Sequence, residues 1–197
     1  QVASMEHLPI LNRVGNALIA YTFYLEKTLW PDNLAIFYPY EYTLPVGKIL
    51  FSAILLLVIT YVAFHYIKKF PFLFVGWLVY LGALIPVIGF VQVGNQAVAD
   101  RYTYLPSIGI VFILSWGIPS LFNNNDTRKK ILFPPAMAIL IIMVFLTWRQ
   151  CGYWKNSTEI FSHALSATKS NYLAHNSRGI AYGEAGQYQK AIDDFNQ

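Results

Sequence analysis

Cysteine and charge are both scarce in this chain. One cysteine, Cys151, among 197 residues excludes an intrachain disulfide framework and a multi-cysteine zinc site, and it leaves the redox compartment undecided. Only 12% of residues are charged, against 56% hydrophobic and 17% aromatic, with a mean hydropathy of +0.43. That is too apolar for a water-soluble globule of this size and marks a membrane protein. The four histidines show no metal-ligand spacing, so no metal site is expected. The start of the chain carries no signal-peptide pattern, and membrane insertion must rest on internal segments. The net charge is +4, but the bases sit mostly in short connections between apolar runs. That is a topology signal, and no nucleic-acid partner is expected.

Four apolar runs are long enough to read as membrane spans: residues 49–67, 72–91, 105–121 and 131–148. Lys68-Lys69 follows the first and Arg128-Lys129-Lys130 precedes the last, which places these bases in the cytoplasm. The connections 31–48 and 94–104 and everything after Arg149 then lie outside. His65 reads as an interfacial residue. Pro86, which lacks a backbone donor, is expected to kink the second span, with Gly76, Gly82 and Gly89 allowing close helix contact. The polar run 123–130 reads as a loop. Residues 9–30 form a helix broken by Asn12, Arg13, Asn16, Glu26 and Lys27, which suits either a tilted span or a helix lying in the interface. The aromatic, Pro-containing stretch 37–42 suits a headgroup belt or a sugar-stacking surface.

From Trp154 the composition becomes that of soluble helices. Phe161 and Phe195 stand 34 residues apart, the length of a tetratricopeptide unit. Gly179, Tyr182, Gly186, Tyr188, Ala191 and Phe195 fall at the spacing of that repeat, with small residues where its two helices touch and aromatics between them. Arg178 and Lys169 depart from the pattern, which has leucine and proline there. A single unit cannot bury its own face, and the chain both opens without methionine and closes on an uncapped helix. We therefore expect a fragment of a longer protein with more repeats. Asn156-Ser157-Thr158 is an N-glycosylation sequon.

Between the second and third spans lies 92–106, the stretch most suggestive of chemistry, with the adjacent acid and base Asp100 and Arg101. Arg101 offers five donors in a planar fork and stays charged, so at headgroup depth it can hold a lipid phosphate with Asp100 orienting it. The plainer alternative is that the pair fixes a helix end. Tyr102 and Tyr104 are belt residues whose hydroxyls could reach such a site. Gln92, Asn95 and Gln96 could hydrogen-bond a sugar, or simply end a span. Cys151 and His163 are too far apart in sequence to suggest a thiol nucleophile.

The run Leu29-Trp30-Pro31-Asp32-Asn33-Leu34-Ala35-Ile36-Phe37-Tyr38-Pro39, then Ala99-Asp100-Arg101-Tyr102-Thr103-Tyr104-Leu105-Pro106-Ser107-Ile108-Gly109, then a last span and a tetratricopeptide pattern, resembles one family. It is similar to prokaryotic relatives of the transmembrane and tetratricopeptide-repeat-containing O-mannosyltransferases (the TMTC family, within the GT-C superfamily). The resemblance runs from about residue 11 to 197. It implies an all-α polytopic helix bundle over 1–150, the C-terminal part of a GT-C-like membrane domain. Over 151–197 it implies the start of a tetratricopeptide domain. The implied activity is transfer of a sugar, expected to be mannose, from a polyprenyl-phosphate donor to a hydroxyl acceptor on the extracytoplasmic side. The membrane would be a prokaryotic inner membrane or the endoplasmic reticulum. Protein or peptide acceptors would be met through the repeats. In this family the catalytic acid lies on the first outer loop, which would precede Gln1, so no catalytic residue is assigned within the chain. Arg101 and Asp100 are the expected lipid-phosphate contacts, and Tyr102, Tyr104, Gln92, Asn95 and Gln96 the expected supporting residues. A non-enzymatic membrane scaffold is the competing class, and a lipid-linked glycan ligase or polymerase a second enzymatic alternative.

Overall fold

In the computed structural model, which describes residues 10–36, 38–39, 44–88, 98–122 and 125–197, the expected all-α architecture is present. The α-helices are α1 (Ile10–Leu29), α2 (Val46–His65), α3 (Pro71–Leu84), α4 (Tyr104–Ser120), α5 (Asn125–Cys151), α6 (Ser157–Ala167), α7 (Tyr172–Glu184) and α8 (Tyr188–Phe195). A 3-10 turn, Asp100–Thr103, runs directly into α4, and a second, Gly152–Trp154, follows α5. Val46–His65, Asp100–Ser120 and Lys129–Trp154 are long and apolar enough to cross a bilayer. The chain is an integral membrane protein.

Two expectations are corrected. The run 72–91 yields α3, which is apolar but only 14 residues long, about 21 Å at 1.5 Å per residue and short of a 30 Å hydrocarbon core. Its α-helix ends at Leu84, before Pro86. Ile85 keeps helical backbone (φ −47°, ψ −48°) and Ile88 N still donates to Leu84 O (3.0 Å), so the proline, which has no N–H to give the Gly82 carbonyl, turns the regular helix into irregular turns: Ile85 N takes that carbonyl instead, at 3.3 Å. Residues 89–91, Gly89 among them, lie outside the described residues. The second correction concerns 123–130: α5 begins at Asn125 and takes in Arg128, Lys129 and Lys130. Arginine and lysine are good helix formers, and nothing between them and the apolar run interrupts the helix.

The chain divides into two compact units, Gln1–Trp30 with Tyr40–Ile118, and Pro31–Pro39 with Pro119–Gln197. In the first unit α2 and α3 run antiparallel. Trp77 Nε1 donates to Thr60 Oγ1 (2.9 Å), and Phe64 meets Phe74 edge-on with ring centroids 4.9 Å apart. The antiparallel pair α3 and α4 is closest at Gly76 and Gly109, where a Cβ on Gly76 would stand 2.6 Å from the Gly109 carbonyl oxygen. Only glycine allows backbones so near, and such small-residue contacts drive helix association in membranes. Gly82 has nothing within 4 Å and has no such role.

Helix α1 meets one end of this set. Gly15 lies against Ile49, Thr22 and Ser52 share a 2.8 Å hydrogen bond, and the Tyr21 hydroxyl donates to the Leu81 carbonyl (3.0 Å). These contacts come from the N-terminal part of α2 and the C-terminal part of α3, which coincide because the two helices are antiparallel. Ala17, Ala20 and Tyr24 of α1 join Trp77, Tyr80, Leu84 and Ile110 in the core.

The second unit contains a helical hairpin. Helix α7 ends in a Schellman motif: Gln187 N donates to Tyr182 O (2.9 Å), Gly186 N donates to Gly183 O (3.0 Å), and Gly186 sits at φ +72°. That left-handed conformation is where glycine carries no Cβ penalty. The chain reverses there, and α8 returns along α7 with the Phe195 ring over Gly179, whose Cβ would come within 2.6 Å of it. Asn156 and Asn171 cap the starts of α6 and α7 by accepting from Glu159 N (2.8 Å) and Ala174 N (3.0 Å). Ala35, Ala164 and Ala174 form the small core of this unit.

Candidate functional site

The turn holding Asp100 and Arg101 is set by α1. Residues 17, 20, 21, 24 and 28 share one helical face, spaced at three and four, and Tyr24 on that face is fully buried. Its hydroxyl accepts from Ala99 N (3.0 Å) and donates to Ala99 O (3.3 Å). The same carbonyl accepts from Tyr102 N (3.0 Å), closing the 3-10 turn. Ala99 is 1% exposed and extended, with φ −145°, so its two polar backbone groups depend on these protein partners. One buried tyrosine thus fixes where the chain enters the turn.

Beyond that anchor, successive side chains diverge. Asp100 is half-buried. Arg101 is exposed, with its guanidinium 5.2 Å from the centre of the Tyr102 ring, in range for a cation–π contact. Among the described residues, no carboxylate lies within the 4.0 Å salt-bridge distance of Arg101. Tyr102 is half-buried against the core of the first unit, while Tyr104 is 77% exposed. The structure therefore sets Asp100, Arg101 and Tyr102 beside Tyr24, while Tyr104 is exposed at the start of α4. Gln92, Asn95 and Gln96 lie outside the described residues. Tyr24 was not among the residues picked out by sequence. Its signal was the Ala17, Ala20, Tyr21, Tyr24 stripe in a helix otherwise rich in polar residues. No group of three His, Cys, Asp or Glu side chains that could hold a metal ion occurs among the described residues.

In the second unit the departure at Arg178 has a physical reason. Its Nε donates to Asp194 Oδ2 (2.7 Å), one terminal nitrogen to Asp194 Oδ1 (2.7 Å), and the other to Ser162 Oγ (3.2 Å). His175 Nδ1 stands 2.9 Å from Asp194 Oδ1. The forked arginine thereby ties α6, α7 and α8 through a carboxylate only 5% exposed. The bond from Arg178 holds the Asp194 carboxyl below its ordinary range, burial opposes that shift, and His175 reinforces it. The partner effect raises Arg178. Nearby, the rings of Tyr153 and His163 stack at 3.7 Å, and burial lowers the His163 imidazole from its usual value.

Comparison with known proteins supplies the remaining evidence. The chain is 30% identical over 118 residues to Protein O-mannosyl-transferase TMTC4 of Homo sapiens, covering 57% of this chain and 16% of that protein. It is 30% identical over 122 residues to the Mus musculus protein of the same name, covering 57% and 16%. It is 26% identical over 108 residues to Protein O-mannosyl-transferase Tmtc2 of Drosophila melanogaster, covering 55% and 11%. The chain thus spans about a sixth or less of the length of these relatives. No protein-family model matches it, and no solved structure matches it significantly. The matches support a TMTC-like family for the chain.

Proposed function

We propose, taking this TMTC-like kinship as the premise, that the chain is the part of a glycosyltransferase that holds a lipid-linked sugar donor. In this reading a polyprenyl-phosphate sugar, mannose by analogy with the names of the relatives, keeps its tail in the bilayer and its phosphate at headgroup depth. Arg101 contacts the leaving phosphate there, and the sugar passes to a hydroxyl of a protein acceptor on the extracytoplasmic side. Asp100 helps set the turn that presents Arg101. The observation that carries the reading is an exposed arginine, free of carboxylate partners among the described residues, on a turn pinned by Tyr24 at the mouth of a bilayer-length helix. A guanidinium at that depth can bind two phosphate oxygens at once and stabilise the charge that develops as the glycosidic bond breaks.

The hairpin of α7 and α8 fits the first unit of a tetratricopeptide array that gathers acceptors or partners. Its large apolar side chains Ile180, Tyr188, Ile192 and Phe195 are 49–70% exposed, as a repeat awaiting a neighbour requires. This same exposure is what favours the scaffold reading.

The test is binding of polyprenyl monophosphate to the chain in nanodiscs, with the unphosphorylated polyprenol as reference. Charge-assisted hydrogen bonds contribute about 1.5–3 kcal/mol, so Arg101→Ala should weaken phosphate binding roughly ten- to hundredfold. Arg101→Lys should recover only part of it, since an ammonium lacks the fork. Affinity for the polyprenol should not change. Equal phosphate affinity in wild type and Arg101→Ala would remove Arg101 from the site.

A further inference from the structure

Away from the Arg101 turn, on the opposite side of α1 from Tyr24, a groove of about 490 Å³ runs between α1 and the start of α2. It is built from two matching stripes. Residues 19, 22, 23 and 26 of α1 face residues 48, 51, 52 and 55 of α2, each set spaced i, i+3, i+4, i+7 and so sharing one helix face. The floor is already satisfied. The Thr22 hydroxyl donates to Ile19 O (2.9 Å) and shares the 2.8 Å bond with Ser52, which is 2% exposed. With both hydroxyl protons engaged, a polar ligand would find no open donor there, and Phe23, Phe51 and Leu55 make the walls apolar.

Glu26 and Lys48, both exposed, line this groove, and the Lys27 ammonium stands 5.7 Å from the centre of the Phe23 ring that forms part of its wall. Among the described residues Glu26 and Lys48 form no ion pair within 4.0 Å. Lys48 is the third residue of a 20-residue spanning helix, so it lies at headgroup depth. Leu55 lies seven residues further along, about 10 Å deeper. The groove thus carries Lys48 at headgroup depth, the Glu26 carboxylate on the facing stripe, and walls that are otherwise mostly apolar.

We propose that this groove holds one phospholipid with a primary-ammonium headgroup, of the phosphatidylethanolamine type. Lys48 faces its phosphate, Glu26 accepts from its ammonium, and the upper part of one acyl chain lies against Phe23, Phe51 and Leu55. The charges decide the class. An anionic headgroup would satisfy Lys48 and be repelled by Glu26. A choline headgroup has no N–H to give the carboxylate.

The test uses the chain in nanodiscs of equal parts phosphatidylethanolamine, phosphatidylcholine and phosphatidylglycerol. Lipid retained after release into detergent is identified by native mass spectrometry. The expected result is retention of one phosphatidylethanolamine over phosphatidylcholine by about fivefold, the upper end for exposed charge contacts. Glu26→Gln should abolish that preference while leaving total retained lipid unchanged, and Lys48→Gln should lower retention of both zwitterionic lipids. Equal retention of the two, a preference for phosphatidylglycerol, or a preference that survives Glu26→Gln would each overturn the proposal. None of these outcomes depends on Arg101 or on sugar transfer.

Discussion

Replacing Gly109 with alanine sets two opposed effects against each other where backbone meets backbone. Alanine favours a helix over glycine by about 1 kcal/mol, so propensity alone predicts stabilisation. The structure predicts the reverse. The added Cβ would collide with the Gly76 carbonyl oxygen and stand 2.9 Å from Tyr80 N and 3.3 Å from Val79 Cβ. Two of these neighbours are main-chain atoms of a helix, which cannot rotate aside as a side chain can. α3 and α4 would have to part by about 1 Å, and a gap of 0.5–1 Å forfeits a quarter to a half of each dispersion contact along the seam. With overpacking costing about 1–3 kcal/mol against a propensity gain of about 1 kcal/mol, the net loss should be up to about 2 kcal/mol, and the variant should be about 1–3 kcal/mol less stable than one that takes the propensity gain alone. The assay is thermal unfolding in detergent micelles, followed by the fluorescence of Trp77, which is 2% exposed and stacks on Tyr80. Gly82→Ala is the internal control, since nothing lies within 4 Å of that position. It should leave Tm unchanged or raise it. If Gly109→Ala were as stable as Gly82→Ala, the close approach of α3 and α4 would be wrong, and with it the placement of the turn at the start of α4.

Other outcomes follow from the same contacts. Tyr24→Phe strips Ala99 of a donor and an acceptor at a buried site, a loss of about 1–3 kcal/mol. Hydrogen exchange read by mass spectrometry should quicken at residues 99–103 while α2 is unaffected, and unchanged exchange there would refute the anchor. Asp194→Asn should loosen α7 and α8 by roughly 1.5–3 kcal/mol, seen as faster exchange over 172–195. The pH response has a defined sign. Because the folded state depresses the Asp194 carboxyl, its contribution is fully present above the ordinary value of 3.8 and is lost as pH falls below it. The depressed His163 imidazole acts earlier, its contribution weakening as pH falls below its ordinary 6.5. Exchange in α6 should therefore rise under mild acid and that in α8 only under stronger acid. His163→Phe should remove the first step alone.

The helices themselves were legible in the sequence because their causes are local. Uncharged apolar runs of 17 to 19 residues must hydrogen-bond their own backbone in lipid, so α2, α4 and α5 could be read directly. The hairpin was legible because Gly179, Gly186 and Phe195 mark a close contact, a left-handed turn and a filler at fixed spacing. The ends of α3 and α5 were not. A proline after a helix and a basic run before one read alike whether the helix stops, bends or continues.

Of the candidate site, Arg101 and its turn could be found from the sequence alone, since an acid and a base beside an apolar run stand out. What holds that turn could not. Tyr24 lies 75 residues from Ala99, and no local rule pairs them. Arg178 looked like a defect in a repeat until folding set Asp194 against it, 16 residues away. Composition and periodicity determined that this is a helical membrane protein with a less apolar helical hairpin over 172–195. Only the tertiary structure decided which tyrosine, which glycine pair and which carboxylate hold it together, because long-range partners are chosen by packing.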